Sequence, residues 1–130
     1  MTEFTKEWLH FAEMDIRSAN FLLAMRPVPI EIICYHCQQC AEKALKAVLV
    51  EHDMEPLKTH DLRELCQMCV ALDPVFQDLT APFRELTSYG VAPRYPNGPE
   101  LDDRRMNEAL RESQKILAFV QSVLEEGVEP

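Results

Sequence analysis

The sequence predicts an all-α domain, an up-and-down bundle with short connections, and three observations carry that expectation. Apolar residues recur at three- and four-residue spacing in successive segments, no segment alternates as a half-buried strand does, and proline-containing stretches such as 26–29 and 90–99 separate helical segments. At 130 residues the chain has the length of one domain with a proper core. No Gly/Ser linker or low-complexity run divides it, so a single domain over residues 1–130 is expected.

The first helix is expected from about Phe4 to Met25. At about 100° per residue, Phe4, Trp8, Phe11, Ala12, Ala19 and Leu22 gather on one side and His10, Glu13 and Arg17 on the other. Asp15 falls within the apolar side, and a buried carboxylate needs a partner. An ion pair or hydrogen bond to another helix is one reading and a polar pocket in the core is the other. Arg26-Pro27-Val28-Pro29 ends the helix, because proline disfavours helix at its own position and at the residue before it.

The second helix, about Ile30 to His52, has a broad apolar face of Ile30, Ile33, Cys34, Cys37, Ala41, Ala44, Leu45 and Val48. So wide a stripe suggests a central position touching several neighbours. Tyr35, Gln39, Glu42, Lys43 and Lys46 are assigned to the opposite side, a polar strip with room for a Glu42 to Lys46 pair. Asp61 followed by Glu64 fits a capping box opening a third helix, buried through Leu62, Leu65, Cys66, Cys69 and Leu72. Asp73-Pro74 stops that helix and begins a further helical stretch through Phe76, Leu79, Phe83 and Leu86, ending near Tyr89, with Pro82 leaving its continuity open. Residues 90–99, with three prolines and two glycines, form the one conspicuous loop. The last helix, about Leu101 to Glu126, places Met106, Leu110, Ser113, Leu117, Val120 and Leu124 along one packing seam.

Composition excludes several classes of function. A formal net charge of -9 opposes nonspecific contact with phosphate backbones, so DNA is not an expected partner. The longest apolar stretch, around Ile30 to Val50, is interrupted by charged and amide side chains and cannot cross a bilayer cheaply. No secretory pattern opens the chain, and five cysteines read as free thiols in a reducing compartment, so a cytoplasmic location is expected. The spacing Cys34-x2-Cys37-x2-Cys40 followed by Cys66-x2-Cys69 invites a zinc site. Against it, Cys34 and Cys40 point about 120° apart on a helical wheel, and neither pair has a knuckle glycine, so these residues are read as small core hydrophobes and no metal is expected. No phosphate loop, zinc-protease helix or nucleophile elbow is present. His60 and Asp61 precede a helix whose first N–H groups could receive a phosphate, although Asp61 as a cap already uses that position.

Arg94 in the proline-rich loop offers a planar donor fork for phosphate or carboxylate, and Tyr89 and Tyr95 offer flat faces on which a base could stack. The bland alternative has Tyr95 pinning the loop to the bundle and Arg94 pairing with a neighbouring acid.

Taken in order, Trp8, Ala12, Asp15 and Ala19, the run Tyr35-His36-Cys37-Gln38-Gln39-Cys40-Ala41-Glu42-Lys43-Ala44-Leu45-Lys46-Ala47, then Thr59-His60-Asp61-Leu62, and finally Tyr89 through Arg94-Tyr95-Pro96 resemble HEPN domains (higher eukaryote and prokaryote nucleotide-binding domains) over nearly the whole chain. The most specific part is Gln39-x-Ala41-Glu42-Lys43-x-x-Lys46 with the Arg94-Tyr95-Pro96 loop. The resemblance implies a bundle of four main helices plus a short one, commonly a homodimer, with a role in nucleotide or RNA biology and often a separately encoded nucleotidyltransferase partner. Two features depart from relatives. Ribonucleolytic members carry an arginine followed four to six residues later by a histidine, and none of His10, His36, His52 or His60 has an arginine at that distance; Pro93 also stands where relatives often show alanine.

The expected function is therefore a noncatalytic binding module of a two-component, toxin–antitoxin-like system. Gln39, Lys43, Lys46, Tyr89, Arg94 and Tyr95 would engage a nucleotide such as ATP or GTP, or a nucleotidyltransferase partner, and no catalytic residue and no cofactor are assigned. The alternatives are an RNA-cleaving toxin, for which His60 is the candidate acid or base, and a purely structural dimerisation unit.

Overall fold

The computed structural model describes residues 1–56, 58–79, 83–89 and 101–126. Within them the chain forms α1 (Glu3–Leu22), α2 (Ile30–Glu51), α3 (Leu62–Leu72), a single 3-10 turn (Pro74–Asp78), the short α4 (Phe83–Ser88) and α5 (Asp103–Glu126), with no strand among the described residues. Four main helices and one short one is the architecture the sequence predicts.

Local chemistry sets most of the ends. Thr2 caps α1 by accepting a hydrogen bond from the Thr5 amide, and Glu3 places an acid in the first turn, where the helix dipole favours it. α2 begins immediately after Pro29. It ends in a Schellman arrangement, in which the Met54 amide donates to the Leu49 carbonyl and the Asp53 amide to Val50, with Asp53 in the left-handed region at φ 57°. Asp61 caps α3 through the Arg63 amide. The reciprocal half of the predicted capping box is not made: Glu64 Oε2 instead accepts from the Thr59 hydroxyl, whose oxygen receives the Asp61 amide. The stretch predicted after Pro74 is not one helix but a 3-10 turn capped by Asp73 and then α4.

α2 is the hub. It packs most extensively against antiparallel α1, then against α5, α3 and α4. Its core residues Ile33, Cys37, Ala41, Ala44, Leu45 and Val48 have no exposed surface, because small side chains at every turn let neighbouring helices approach closely. At one end of the α1/α2 pair, Glu51 accepts from the Thr2 amide and the Thr5 hydroxyl and meets the N-terminal ammonium at 3.7 Å. The predicted α5 seam of Met106, Leu110, Ser113, Leu117, Val120 and Leu124 is buried throughout.

Two predicted faces are corrected. On α1 the buried line is Thr5, Leu9, Ala12, Asp15, Ile16 and Ala19, while Phe4 and Phe11 turn outward. On the wheel those two phenylalanines lie roughly 120° from the line of Leu9, Ala12 and Ile16, and α2 packs against the smaller residues. On α2 two of the five residues assigned to the outer strip, Glu42 and Lys46, are buried, while Tyr35, Gln39 and Lys43 are half-buried, since a helix surrounded by neighbours has no fully wet side.

All five cysteines are free and buried. Cys40, Cys66 and Cys69 point their thiols at the carbonyls of Ser113, Phe76 and Leu45. Burial pushes the Cys34, Cys37 and Cys69 thiols up to about 12, which leaves almost no thiolate near neutral pH. A disulfide-exchange reagent at pH 8 is therefore expected to label none of the five in the native protein and all five in denaturant. Rapid labelling of even one without denaturant contradicts this packing.

Candidate functional site

The polar residues of α2 sort into two interior clusters. In the first, Asp15 of α1 accepts from His36 Nδ1 at 2.9 Å through one oxygen and from Lys43 Nζ at 2.6 Å through the other. The carboxylate left without a partner by the sequence thus has two, both from α2, and the ion-pair reading holds. In the second, Glu42 Oε1 accepts from Gln38 Nε2 at 2.9 Å and His60 Nδ1 at 2.8 Å, while Oε2 accepts from Lys46 Nζ at 3.1 Å. Gln38 also donates to the His60 carbonyl, and Gln39 Nε2 donates to Gln38 Oε1 at 2.7 Å. Burial pushes the Glu42 carboxyl up, but the hydrogen bonds from Gln38, His60 and Lys46 and the ammonium charge outweigh it and hold the group below its ordinary value of 4.5. Glu42 is therefore a fixed anion at neutral pH, pinning the segment before α3 to α2.

Lys46 Nζ also sits 6.0 Å from the centre of the Trp8 ring, close enough for a cation–π contact. The same indole lines a cavity of about 380 Å³ with Glu7, Phe11 and Lys43. Aromatic walls with one lysine at the edge can take a flat, partly apolar group carrying a charge.

Of the residues singled out from the sequence, Gln39, Lys43 and Lys46 are brought together on α2, and Lys43 lines the cavity beside Trp8. Lys46 is interior and bound to Glu42. Tyr89 is 3% exposed, so its ring packs into the core and presents no open stacking face. Arg94 and Tyr95, with the rest of the proline-rich loop predicted over residues 90–99, lie outside the described residues. His60 has an exposed side chain held through Nδ1 by Glu42. At the start of α3, the Leu62 amide is taken by the Thr87 hydroxyl and the Arg63 amide by Asp61, so neither N–H awaits a phosphate. Among the described residues no group of three or more His, Cys, Asp or Glu side chains could hold a metal, and no helix is long and apolar enough to cross a membrane.

Sequence reasoning missed Trp8, Phe11 and Glu7 as cavity residues and Glu42 as an interior anchor. Periodicity reported only which side of a helix each occupies, not which concavity two helices leave between them.

An all-helical bundle around a central helix with paired interior charges is what the fold and site define. The chain belongs to the HEPN family: the HEPN domain model matches residues 5–123. Two solved structures share the fold. One is TT1696 from Thermus thermophilus, at 26% identity and a TM-score of 0.72, covering 93% of this chain and 98% of that one. The other is ST0689, an archaeal HEPN homologue, at 22% identity and a TM-score of 0.63, covering 94% and 98%. Among curated proteins none matches the chain.

Proposed function

We propose that this protein is a noncatalytic HEPN binding module that engages a nucleotide, or a small nucleotidyltransferase partner, in a two-component, toxin–antitoxin-like system. The observation that carries the reading is the Trp8–Phe11–Lys43 cavity. It supplies aromatic surface for a base and, in Lys43, a cation oriented by Asp15 with donors to spare for a phosphate. Arg94 and Tyr95 are assigned a second phosphate contact and a stacking or loop-positioning role. Elsewhere on α2, Glu42 holds the segment before α3 and Glu51 holds the start of α1, which suits a rigid binding surface.

Trp8 is the only tryptophan of the chain, so its fluorescence reports directly on the cavity. Titration with ATP or GTP is expected to quench it, with matching heat in calorimetry, and Lys43→Met is expected to weaken binding about tenfold, or ~1.4 kcal/mol. Unchanged fluorescence and no heat with ATP, GTP and short RNA would remove the nucleotide reading. Co-purification with a nucleotidyltransferase tests the partner reading separately.

One observation favours RNA cleavage as a second reading: His60 is oriented by a buried carboxylate with its ring open to solvent, an arrangement that suits a general acid or base. Any cleavage activity should then disappear in His60→Ala.

A further inference from the structure

Beyond the nucleotide reading, and without resting on it, the geometry points to a second ligand site on the far side of Asp15: a concavity in which Arg17 and His36 receive the carboxylate of a small molecule with an apolar body. The concavity, of about 760 Å³, lies open beside α1, and Met14, Arg17, Ser18, Phe21 and Leu22 of that helix line it together with His36 of α2. It shares no lining residue with the cavity of Glu7, Trp8, Phe11 and Lys43. The two meet at Asp15, which holds His36 of one and Lys43 of the other.

Two cationic donors border this space. Arg17 has an acid one turn before it in Glu13, the usual i,i+4 partner on a helix, but in this fold Glu13 accepts from Gln121 of α5 at 2.6 Å. Asp15 is taken by His36 and Lys43, and among the described residues no carboxylate lies within ion-pair distance of Arg17. In a chain with 22 acidic residues against 13 basic ones, a planar donor fork at the edge of a concavity is thus left for a ligand. His36 is held in place: its Nδ1 donates to Asp15 at 2.9 Å, and Asp15 is only 8% exposed. The two ring nitrogens point apart, so Nε2 is the one left to face the concavity, and with a proton there the ring is a cation whose N–H donates. Lys43, at 2.6 Å from the second oxygen of Asp15, offsets the charge that would otherwise repel an incoming anion. The hydroxyl of half-buried Ser18 adds a neutral donor to the rim.

Charge and shape select the class of ligand. One permanent cation and one imidazole match a single negative charge, whereas a nucleoside triphosphate brings several into a chain that is already strongly acidic. A planar carboxylate fits a planar guanidinium through two parallel hydrogen bonds. The rest of the wall is Met14, Phe21 and Leu22, which take an aliphatic or aromatic body out of water.

NMR of the full chain tests this at about pH 6, where an ordinary imidazole is mostly charged, with the His36 ring assigned among the four histidines through His36→Gln. Hexanoate and benzoate are the probes. Each is expected to shift the His36 ring and the Arg17 side-chain signals saturably below about 10 mM, while hexanol leaves both in place. Arg17→Ala is expected to weaken hexanoate binding at least about tenfold, and Arg17→Lys, which keeps the charge without the fork, to recover only part of it. Both variants should keep the wild-type melting temperature, because Arg17 is solvent-exposed. No shift at His36, a response to hexanol equal to that to hexanoate, or undiminished binding in Arg17→Ala each overturns the inference. Inorganic phosphate binding there as tightly as hexanoate overturns it too, since the carboxylate is then not what the site selects. Trp8 fluorescence with ATP reads the other cavity, so the failure of one site is distinguishable from the failure of the other.

Discussion

Glu42→Ala is expected to destabilise the protein by about 3–5 kcal/mol, a large fraction of the ~5–15 kcal/mol that holds a domain of this size together. The substitution removes the acceptor of three side-chain donors at once and leaves the ammonium of Lys46 in the interior with no carboxylate. Urea unfolding measures the loss. The pair Glu42→Leu with Lys46→Met is expected to recover most of it, because removing both charges removes the desolvation cost together with the attraction. If the double variant is no more stable than the single one, the loss comes from the His60 and Gln38 bonds and not from the orphaned charge.

The same carboxylate gives the fold an acid limb. Its native pKa lies below its ordinary value of 4.5, so folding favours the ionised form. Its contribution is complete at neutral pH, begins to fall as pH drops past about 4.5, and is gone once pH passes below the depressed native value. In Glu42→Ala the pH dependence of unfolding below about 4.5 should be correspondingly flatter, which a series of unfolding curves from pH 7 downward will show.

The second large effect is expected at Phe76. Its side chain has no exposed surface and meets the Phe119 ring edge-on, with centroids 5.7 Å apart and planes at 68°. The ring ties the 3-10 turn to α5, so Phe76→Ala removes both burial and an aromatic contact and should cost about 3–5 kcal/mol. At this chain length that lowers the melting temperature by roughly 10–20 °C. Val75→Ala, one residue away on the exposed side of the same turn, is the control and should change stability by less than about 0.5 kcal/mol. Equal effects at the two positions are incompatible with this packing.

Helix existence and the α5 seam were legible in the residues because they depend on local spacing. α5 touches its neighbours along one stripe, so its burial follows its periodicity residue for residue. α1 has apolar residues on two sides, and nothing local says which side meets α2: the aromatic side looked stronger, yet the helices meet over Leu9, Ala12, Ile16 and Ala19, where small residues allow close approach. The Glu42 and Lys46 pair was readable at its four-residue spacing, but its burial was not, because His60 reaches it only once the segment before α3 folds back over α2.

Taken alone, then, the sequence determined an all-helical fold, the approximate helix limits, the interior character of the cysteines and membership of a family by its ordered motif. Tertiary structure alone decided that Asp15 answers His36 and Lys43, that Glu42 anchors His60, and that Trp8, Phe11 and Lys43 share one cavity while Phe4 and Phe21 face outward. The division has one physical cause: helical periodicity fixes a side chain's direction about its own axis, whereas partners and cavities depend on how neighbouring axes are rotated and spaced, which packing of the whole chain sets.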